Sequence, residues 1–496
     1  MTLFASPLAR RATVVVLALV ALRLLAAALT PLAFDEAYYW MWSQHLAGGY
    51  YDHPPMVALT IRAGTLIASD SEFGVRLVSI LLALPMSFAV YRATDILFGS
   101  ERAAATAAIL LNVTLVVAVG TIIVTPDAPL MVASAFVLLC LAKVLHDDRG
   151  VWWLAVGAAV GAALLSKYTA LFFGVTILLW LVAVPKLRRW LVSPWPYLGF
   201  LVTCAMIAPV VAWNADHGWV SFAKQFGRAR FDGLTLRFIG ELIPAQMAFA
   251  TPPVFLLGAM GLAALLTRRG GPRPARLLIS LTVWPILIYF VVHSLHSHIE
   301  ANWLAPVYPA FAIAAAVAAH EVAWSPRWQR AADLSRRFAL PVGVVMLVAL
   351  IVQANTGWLN GNRRDPTLRS IGVGWPDVAR EIETARVRSG AKCVLAPDYG
   401  TTAWLAFYLP RGTCVHQAFE PIRWVNMPAP DAAALGATSL LVDSEGIARA
   451  LASRCSPQQT VGEAVRRRGQ LVIERYALVA MQCPLAQVLR LPVPKQ

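Results

Sequence analysis

Apolar runs long enough to cross a bilayer recur along the first 355 positions of this 496-residue chain, and that repetition sets the class of fold. About 20 apolar residues in a helix cross the ~30 Å of hydrocarbon. About eleven such runs are legible, roughly at 12–33, 74–98, 103–124, 128–145, 151–166, 169–185, 195–213, 246–266, 277–293, 304–323 and 338–355. Within hydrocarbon only helices and closed barrels satisfy their own backbone groups, and runs this long are helical. The expected fold class is therefore an α-helical polytopic membrane protein of about eleven spans, at most about thirteen, with a small C-terminal α/β domain.

Charge agrees with this reading. The chain is 58% hydrophobic and 14% charged, against about half and about a quarter in a soluble domain. Its formal net charge of +15 would suit a nucleic-acid partner, but Lys and Arg collect in short connectors, as the positive-inside rule describes. KLRR (186–189), RRGGPRPAR (268–276) and RWQRAADLSRR (327–337) all fall on one side if the N-terminus is cytoplasmic. No nucleic-acid-binding motif accompanies them, so membrane lipids are the expected surroundings.

The alternate connections carry the chemistry. They hold Asp35-Glu36, YYDHPP (50–55), TPDAP (125–129), SKYT (166–169), WNADHGW (213–219) and HSHIEANW (296–303). Ionisable groups at membrane depth are costly and mark function by default. Asp35 and Glu36 follow the first span, where a shielded carboxylate can act as general base or, more simply, complement a helix N-terminus. In YYDHPP the prolines stiffen a segment bearing Tyr51, Asp52 and His53; an interfacial turn with aromatic anchors is the plainer alternative. Asp127, between prolines, suits a site or the start of the next helix. Lys167 beside Tyr168 suits an anion contact or snorkelling. Trp213, Asp216, His217 and Trp219 suit a sugar or an aromatic belt. His298 and Glu300, with Asn302 following, can contact a phosphate or sugar. A His-x-His step can also bind metal, but no well-spaced third ligand accompanies it apart from His293, so no metal and no cofactor are expected.

The first outer loop, 34–73, reads as an amphipathic aromatic helix (35–47), a Gly-Gly turn, YYDHPP and a second short helix, with the aromatics at the membrane interface. The segment 218–245 reads as an amphipathic helix along the outer surface. Residues 12–33 read as an uncleaved first span, with a cleaved signal peptide as the alternative, since a basic flank, an apolar stretch and Ala26-Ala27-Ala28 fit both. Thus 1–355 form a transmembrane domain and 356–496 an outer α/β domain, whose strands include CVLAP (393–397), TSLLVD (438–443) and QLVIERYALVAM (470–481). Cys140 and Cys204 lie in spans and read as small hydrophobes. Cys393, Cys414, Cys455 and Cys483 all lie in the tail and suggest disulfides, with three connectivities open.

Taken in order, these motifs resemble the GT-C superfamily of membrane glycosyltransferases, over roughly 30–355. The likeness is nearest to the protein O-mannosyltransferase-like group (glycosyltransferase family 39) and extends to the lipid A aminoarabinose and galacturonic acid transferases. Asp35-Glu36 resembles the acidic pair of that superfamily's first outer loop. Tyr51, Asp52, His53, Pro54 and Pro55 resemble a Tyr-Phe-Glu-Lys-Pro-Pro segment, with His in place of Lys. Asp127 matches a further outer Asp, Lys167-Tyr168 a basic step, and the Ser-His-x-x-x-x-Trp-x-x-Pro-x-Tyr-Pro pattern at 297–309 a later outer motif. The resemblance implies transfer of a sugar from a polyprenyl monophosphate donor to an envelope lipid or glycan acceptor, with protein a less favoured acceptor. Asp35, Glu36 and Asp127 would be catalytic; Tyr51, Asp52, His53, Lys167, Tyr168, His298, Glu300 and Asn302 would bind substrate. It also implies a bacterial inner-membrane protein whose site and tail face the periplasm. The alternative is a lipid or sugar transporter. Transporters usually hold polar groups near the midplane, whereas here they lie in the outer connections.

Overall fold

The computed structural model describes residues 6–227, 233–359, 365–429, 432–444, 446–451 and 455–484. Every run expected to span is helical over most of its length. Among the described residues, seven helices are long and apolar enough to cross a membrane alone: Pro7–Leu29, Glu72–Phe98, Asp127–Asp147, Pro194–Asp216, Arg273–His293, Ala301–His320 and Pro326–Thr356. Two bent pairs raise the count to nine, Tyr168–Ala183 with Pro185–Val192 at 116° and Arg237–Ala250 with Pro252–Leu266 at 107°. Both bends have local causes. Pro185 and Pro252 lack the N–H that would continue a helix, and Thr251 adopts φ +66°. The protein is a polytopic membrane protein.

Two expected spans differ in detail. The 103–124 run stops as a helix at Val113, because Thr114 turns extended (φ −66°, ψ 140°). The Asn112 carbonyl this exposes, and the Asn112 side chain (3.1 Å), accept from Arg23, buried inside the first span. Trp152–Ser166 is 15 residues long, about 22 Å at 1.5 Å per residue. The expected surface helix at 218–245 is two helices, Val220–Phe226 and Arg237–Ala250. Residues 228–232 of that segment lie outside the described residues, and the second helix runs into the bent pair.

The chain divides by contact into two units, and the division is not linear in sequence. The first comprises 1–25, 53–60 and 76–348; the second joins 26–52 and 61–75 to 349–496. The first unit is a helix assembly in which small residues allow close approach. Where helices Trp152–Ser166 and Pro194–Asp216 cross, a Cβ on Gly157 would sit 2.0 Å from the Gly199 carbonyl oxygen. Thr203 Oγ1 donates to Gly157 O at 2.8 Å across the same crossing.

The second unit is built on a five-stranded sheet among the described residues, in the order β2-β1-β3-β5-β4. Strands β1 (Cys393–Ala396), β2 (Cys414–Gln417) and β3 (Thr438–Asp443) run parallel, while β5 (Leu471–Gln482) is antiparallel to both β3 and β4 (Gln458–Arg468). Disulfides join Cys393 to Cys414 and Cys455 to Cys483, which selects one of the three open connectivities. Cys140 is buried as expected, whereas Cys204 is exposed on its helix. Helix Phe34–Gln44 packs on helix Tyr399–Tyr408. Its aromatics therefore enter the core of this unit rather than standing at a membrane interface: Tyr38, Tyr39, Trp40 and Trp42 are all buried, and Trp42 stacks on Tyr50 with centroids 4.3 Å apart. The chain leading into that helix is stitched to the same unit, since Trp404 Nε1 donates to Leu32 O at 2.9 Å and Ala33 forms a β-bridge with Ile371.

Candidate active site

Each unit gathers its own set of polar groups. In the second unit the helix start at Phe34 sets the geometry. Glu36 is fully buried, and its Oε2 accepts from the Ala33 N–H at 2.8 Å, the carboxylate half of a capping box. One expected catalytic carboxylate thus commits an oxygen to shaping the helix that carries the other. Asp35, one residue earlier, is partly buried, and its Oδ1 accepts from the Tyr399 hydroxyl at 3.3 Å. Burial raises the Asp35 carboxyl to about 7; the Tyr399 hydrogen bond and nearby Arg423 oppose that shift, while Asp52 and Glu36 add to it. A carboxylate that titrates near neutrality is matched to general-base work.

Asp52 sits in the same cluster. Its Oδ2 accepts from Tyr38 at 2.9 Å, and Arg423 reaches its two oxygens at 3.3 and 3.1 Å. Arg423 also donates from Nε to Glu420 at 2.7 Å. Its guanidinium lies 4.5 Å from the Tyr399 ring centre and 5.5 Å from that of Tyr51. Facing these carboxylates, Arg423 is held above its usual range even though burial alone would lower it. The arrangement is a partly buried carboxyl, raised by burial and partly offset by a phenol and a cation within one aromatic box.

In the first unit Asp127 is the hub. It is the first residue of its helix, after Pro126. Helix Trp152–Ser166 ends where Lys167 turns extended (φ −160°, ψ 142°), and this carries Nζ to Asp127 Oδ1 at 2.8 Å. Asn302, in the turn Ala301–Val307, donates to Asp127 Oδ2 at 2.6 Å, and Thr125 donates to the same oxygen at 3.3 Å. Asp127 and Lys167 are buried. Three residues expected at the site are therefore brought together as one hydrogen-bonded group. Tyr168 is buried and pairs its hydroxyl with Ser221 Oγ at 3.1 Å.

The remaining expectations fare differently. His53 is partly buried between Asp52 and two buried prolines. His298 and Glu300 are exposed; His298 lies 3.1 Å from Glu241 and 3.6 Å from Glu300 at the surface of its unit. Trp213 stacks on His217 with ring centres 4.2 Å apart. Among the described residues no group of three or more His, Cys, Asp or Glu side chains is placed to hold a metal ion.

Sequence reading missed Tyr399 and Arg423, because the tail was taken as a domain apart from the first loop. The available signals were weak: Asp398 ahead of a helix, whose side chain accepts from the Thr401 N–H at 2.9 Å, and a basic residue beside a tryptophan in PIRWVNMP.

Known proteins agree with this architecture. Residues 52–213 match the family model for dolichyl-phosphate-mannose-protein mannosyltransferases. The solved structure of ArnT from Cupriavidus metallidurans bound to undecaprenyl phosphate superposes with a TM-score of 0.64 at 18% identity, covering 94% of this chain and 97% of that one. The fold is the GT-C fold. A relative in sequence is the lipid A galacturonosyltransferase RgtD of Rhizobium johnstonii, 27% identical over 285 residues, 57% of this chain. The match spans 59% of that relative's length. The archaeal oligosaccharyltransferase AglB of Archaeoglobus fulgidus, solved with an inhibitory peptide and a dolichol-phosphate, aligns more loosely at a TM-score of 0.50 and 11% identity, over 79% of this chain and 63% of that one.

Proposed function

We propose that the protein is a glycosyltransferase that moves a sugar from a polyprenyl monophosphate to an envelope acceptor, lipid A or a related lipid or glycan, at the outer face of the bacterial inner membrane. The observation that carries this reading is Asp35, a partly buried carboxyl raised to about 7 and held by Tyr399. Such a group takes a proton from an acceptor hydroxyl as that oxygen attacks the anomeric carbon, and the sugar–phosphate bond breaks on the opposite face. The sugar keeps its ring and inverts at that carbon, and the phosphate leaves with the lipid. Support also comes from the undecaprenyl phosphate in the ArnT structure and from the lipid A named as RgtD's target. Lys167, fixed by Asp127, is the proposed contact for a phosphate within the transmembrane unit. A cation facing the leaving group would offset its charge, and the chemistry we propose needs no metal.

The test uses purified protein in lipid, with labelled polyprenyl-phosphate sugars (galacturonic acid and aminoarabinose among them) and envelope lipid acceptors. Transfer is expected from the wild type, with and without a chelator, and a loss of about a hundredfold or more from Asp35→Asn. If no donor yields transfer while the protein is folded, the enzyme reading fails and a transporter becomes the better account.

A further inference from the structure

The second unit contains a cleft that the reaction scheme above does not use. It has a volume of about 380 Å³ and lies between helix Phe34–Gln44, helix Tyr399–Tyr408, strand β2 and the turn that follows Trp424. Its size falls at the lower end of ligand-binding pockets. None of the side chains lining it is an acid, a lysine or an arginine. The polar groups are the Gln44 amide, the Thr402 and Thr413 hydroxyls and the imidazoles of His45 and His416, with Trp40 and Trp424 beside them.

The chemistry of these walls narrows the occupant. A phosphate or carboxylate would find no cation among the lining side chains; Arg411, stacked over the Trp40 ring at 4.6 Å, donates instead to the Asp70 carbonyl. Burial pushes both histidines below their ordinary value, so at neutral pH each offers one donor and one acceptor without charge. An acyl chain would offer nothing to the two imidazoles or to the remaining acceptor capacity of the hydroxyls, at about 1–3 kcal/mol for each buried group left unmet. Thr402 and Thr413 donate to the backbone carbonyls of Asp398 and Pro410, both at 2.7 Å, and keep acceptor capacity for a ligand. The indole N–H groups are also committed, Trp424 to Gln417 Oε1 at 2.9 Å and Trp40 to Asp70 Oδ1 at 2.8 Å, which leaves carbon surface toward the cleft. Neutral hydroxyls that both donate and accept, on a ring with an apolar face, fit these walls.

Position adds the second constraint. Trp424 is shared between the cleft and the aromatic box, its ring 5.3 Å from that of Tyr38. Trp40 to Gln44 lie five to nine residues beyond Asp35 along one helix, or about 8–14 Å at 1.5 Å per residue. A ligand in the cleft is thus too far from Asp35 to react and near enough to belong to the same substrate.

We propose that this cleft binds an uncharged sugar residue of the acceptor, remote from the hydroxyl that is glycosylated. This rests on the glycosyltransferase reading, and the test separates the two. Full-length protein in nanodiscs is irradiated with a diazirine-bearing methyl hexoside, and in parallel with a diazirine fatty acid. Labelled peptides are then mapped by mass spectrometry. The hexoside is expected to label peptides containing Met41 or Met427, which line the cleft, and excess unmodified hexoside should compete it away. His416→Leu and Thr413→Val should each weaken labelling by about tenfold, the loss of one hydrogen-bonding partner. Asp35→Asn should label as the wild type does. Labelling by the fatty acid alone, no labelling in the cleft, or hexoside labelling unchanged in both cleft variants would overturn the proposal. Because no turnover is needed, a failed transfer assay with intact hexoside labelling would sink the enzyme reading while leaving a saccharide site.

Discussion

A carboxyl whose proton leaves only near neutrality weakens its protein whenever it is charged. Asp35 titrates at about 7 in the folded chain against an ordinary 3.8, so the folded state holds its proton longer than the unfolded state. Stability from this group therefore falls as pH rises from 3.8 to 7, and the whole penalty is present above 7. Asp35→Asn is expected to raise Tm at pH 8 and leave it nearly unchanged at pH 4, while abolishing transfer. A variant that lost Tm at pH 8 would show that Asp35 serves the fold instead. In the same group Tyr399 donates to the charged form and lowers its value. Tyr399→Phe should move the rising limb of the pH–rate profile to higher pH with little change in the plateau. An unmoved limb would mean the phenol does not set the base. The buried pair Lys167–Asp127 is held by contact rather than tuned by titration, its two side chains meeting at 2.8 Å. Removing one partner strands the other charge, at about 3–5 kcal/mol, so Lys167→Met should lower thermal stability sharply. Pairing it with Asp127→Asn should recover part of the loss, as a double-mutant comparison by thermal melt would record.

Helices here were easier to foresee than their partners. Span positions follow from apolar length alone, and the breaks at Val113, Pro185 and Pro252 coincide with Thr, Pro and a polar Asn112. What composition cannot carry is which face meets which. The Phe34–Gln44 helix reads as interfacial because four of its eleven residues are Tyr or Trp, yet those rings fill a core completed by a helix that begins at Tyr399. Strand β4 escaped notice because its sequence, QQTVGEAVRRR, pairs an exposed edge with charged residues. The carboxylates were legible from their rarity among apolar neighbours; the phenol and guanidinium that tune them were not, since Tyr399 and Arg423 lie in ordinary soluble-domain sequence. One packing feature at this scale makes a sharp test. At the Gly157–Gly199 crossing a methyl group has no space, so Gly157→Ala should cost about 1–3 kcal/mol by forcing the helices apart. A melt unchanged by that substitution would show that the crossing is looser than its carbonyl contact implies.

Across the whole chain, covalent ties and sequence order pull in different directions. The two disulfides close loops of 21 and 28 residues in the second unit, worth roughly 3 kcal/mol each in a chain-entropy estimate. Reduction is expected to make the sheet region markedly more sensitive to protease than the spans. Before reduction a thiol reagent should find the four tail cysteines blocked; labelling of Cys393 or Cys455 in the unreduced protein would contradict the pairing. The second unit, however, takes its first pieces from 26–52 and its last from beyond 450. Tyr399 meets Asp35 across 364 positions. At about 5–20 residues per second of synthesis, the ribosome needs roughly 20–70 s to deliver the second residue after the first. For that interval Tyr38, Tyr39, Trp40 and Trp42 exist without the surface they are shaped for. A bilayer boundary is a place where Trp and Tyr rest comfortably, so the property that makes this helix look interfacial in its sequence is also what shelters it while the rest of its partner is still being made.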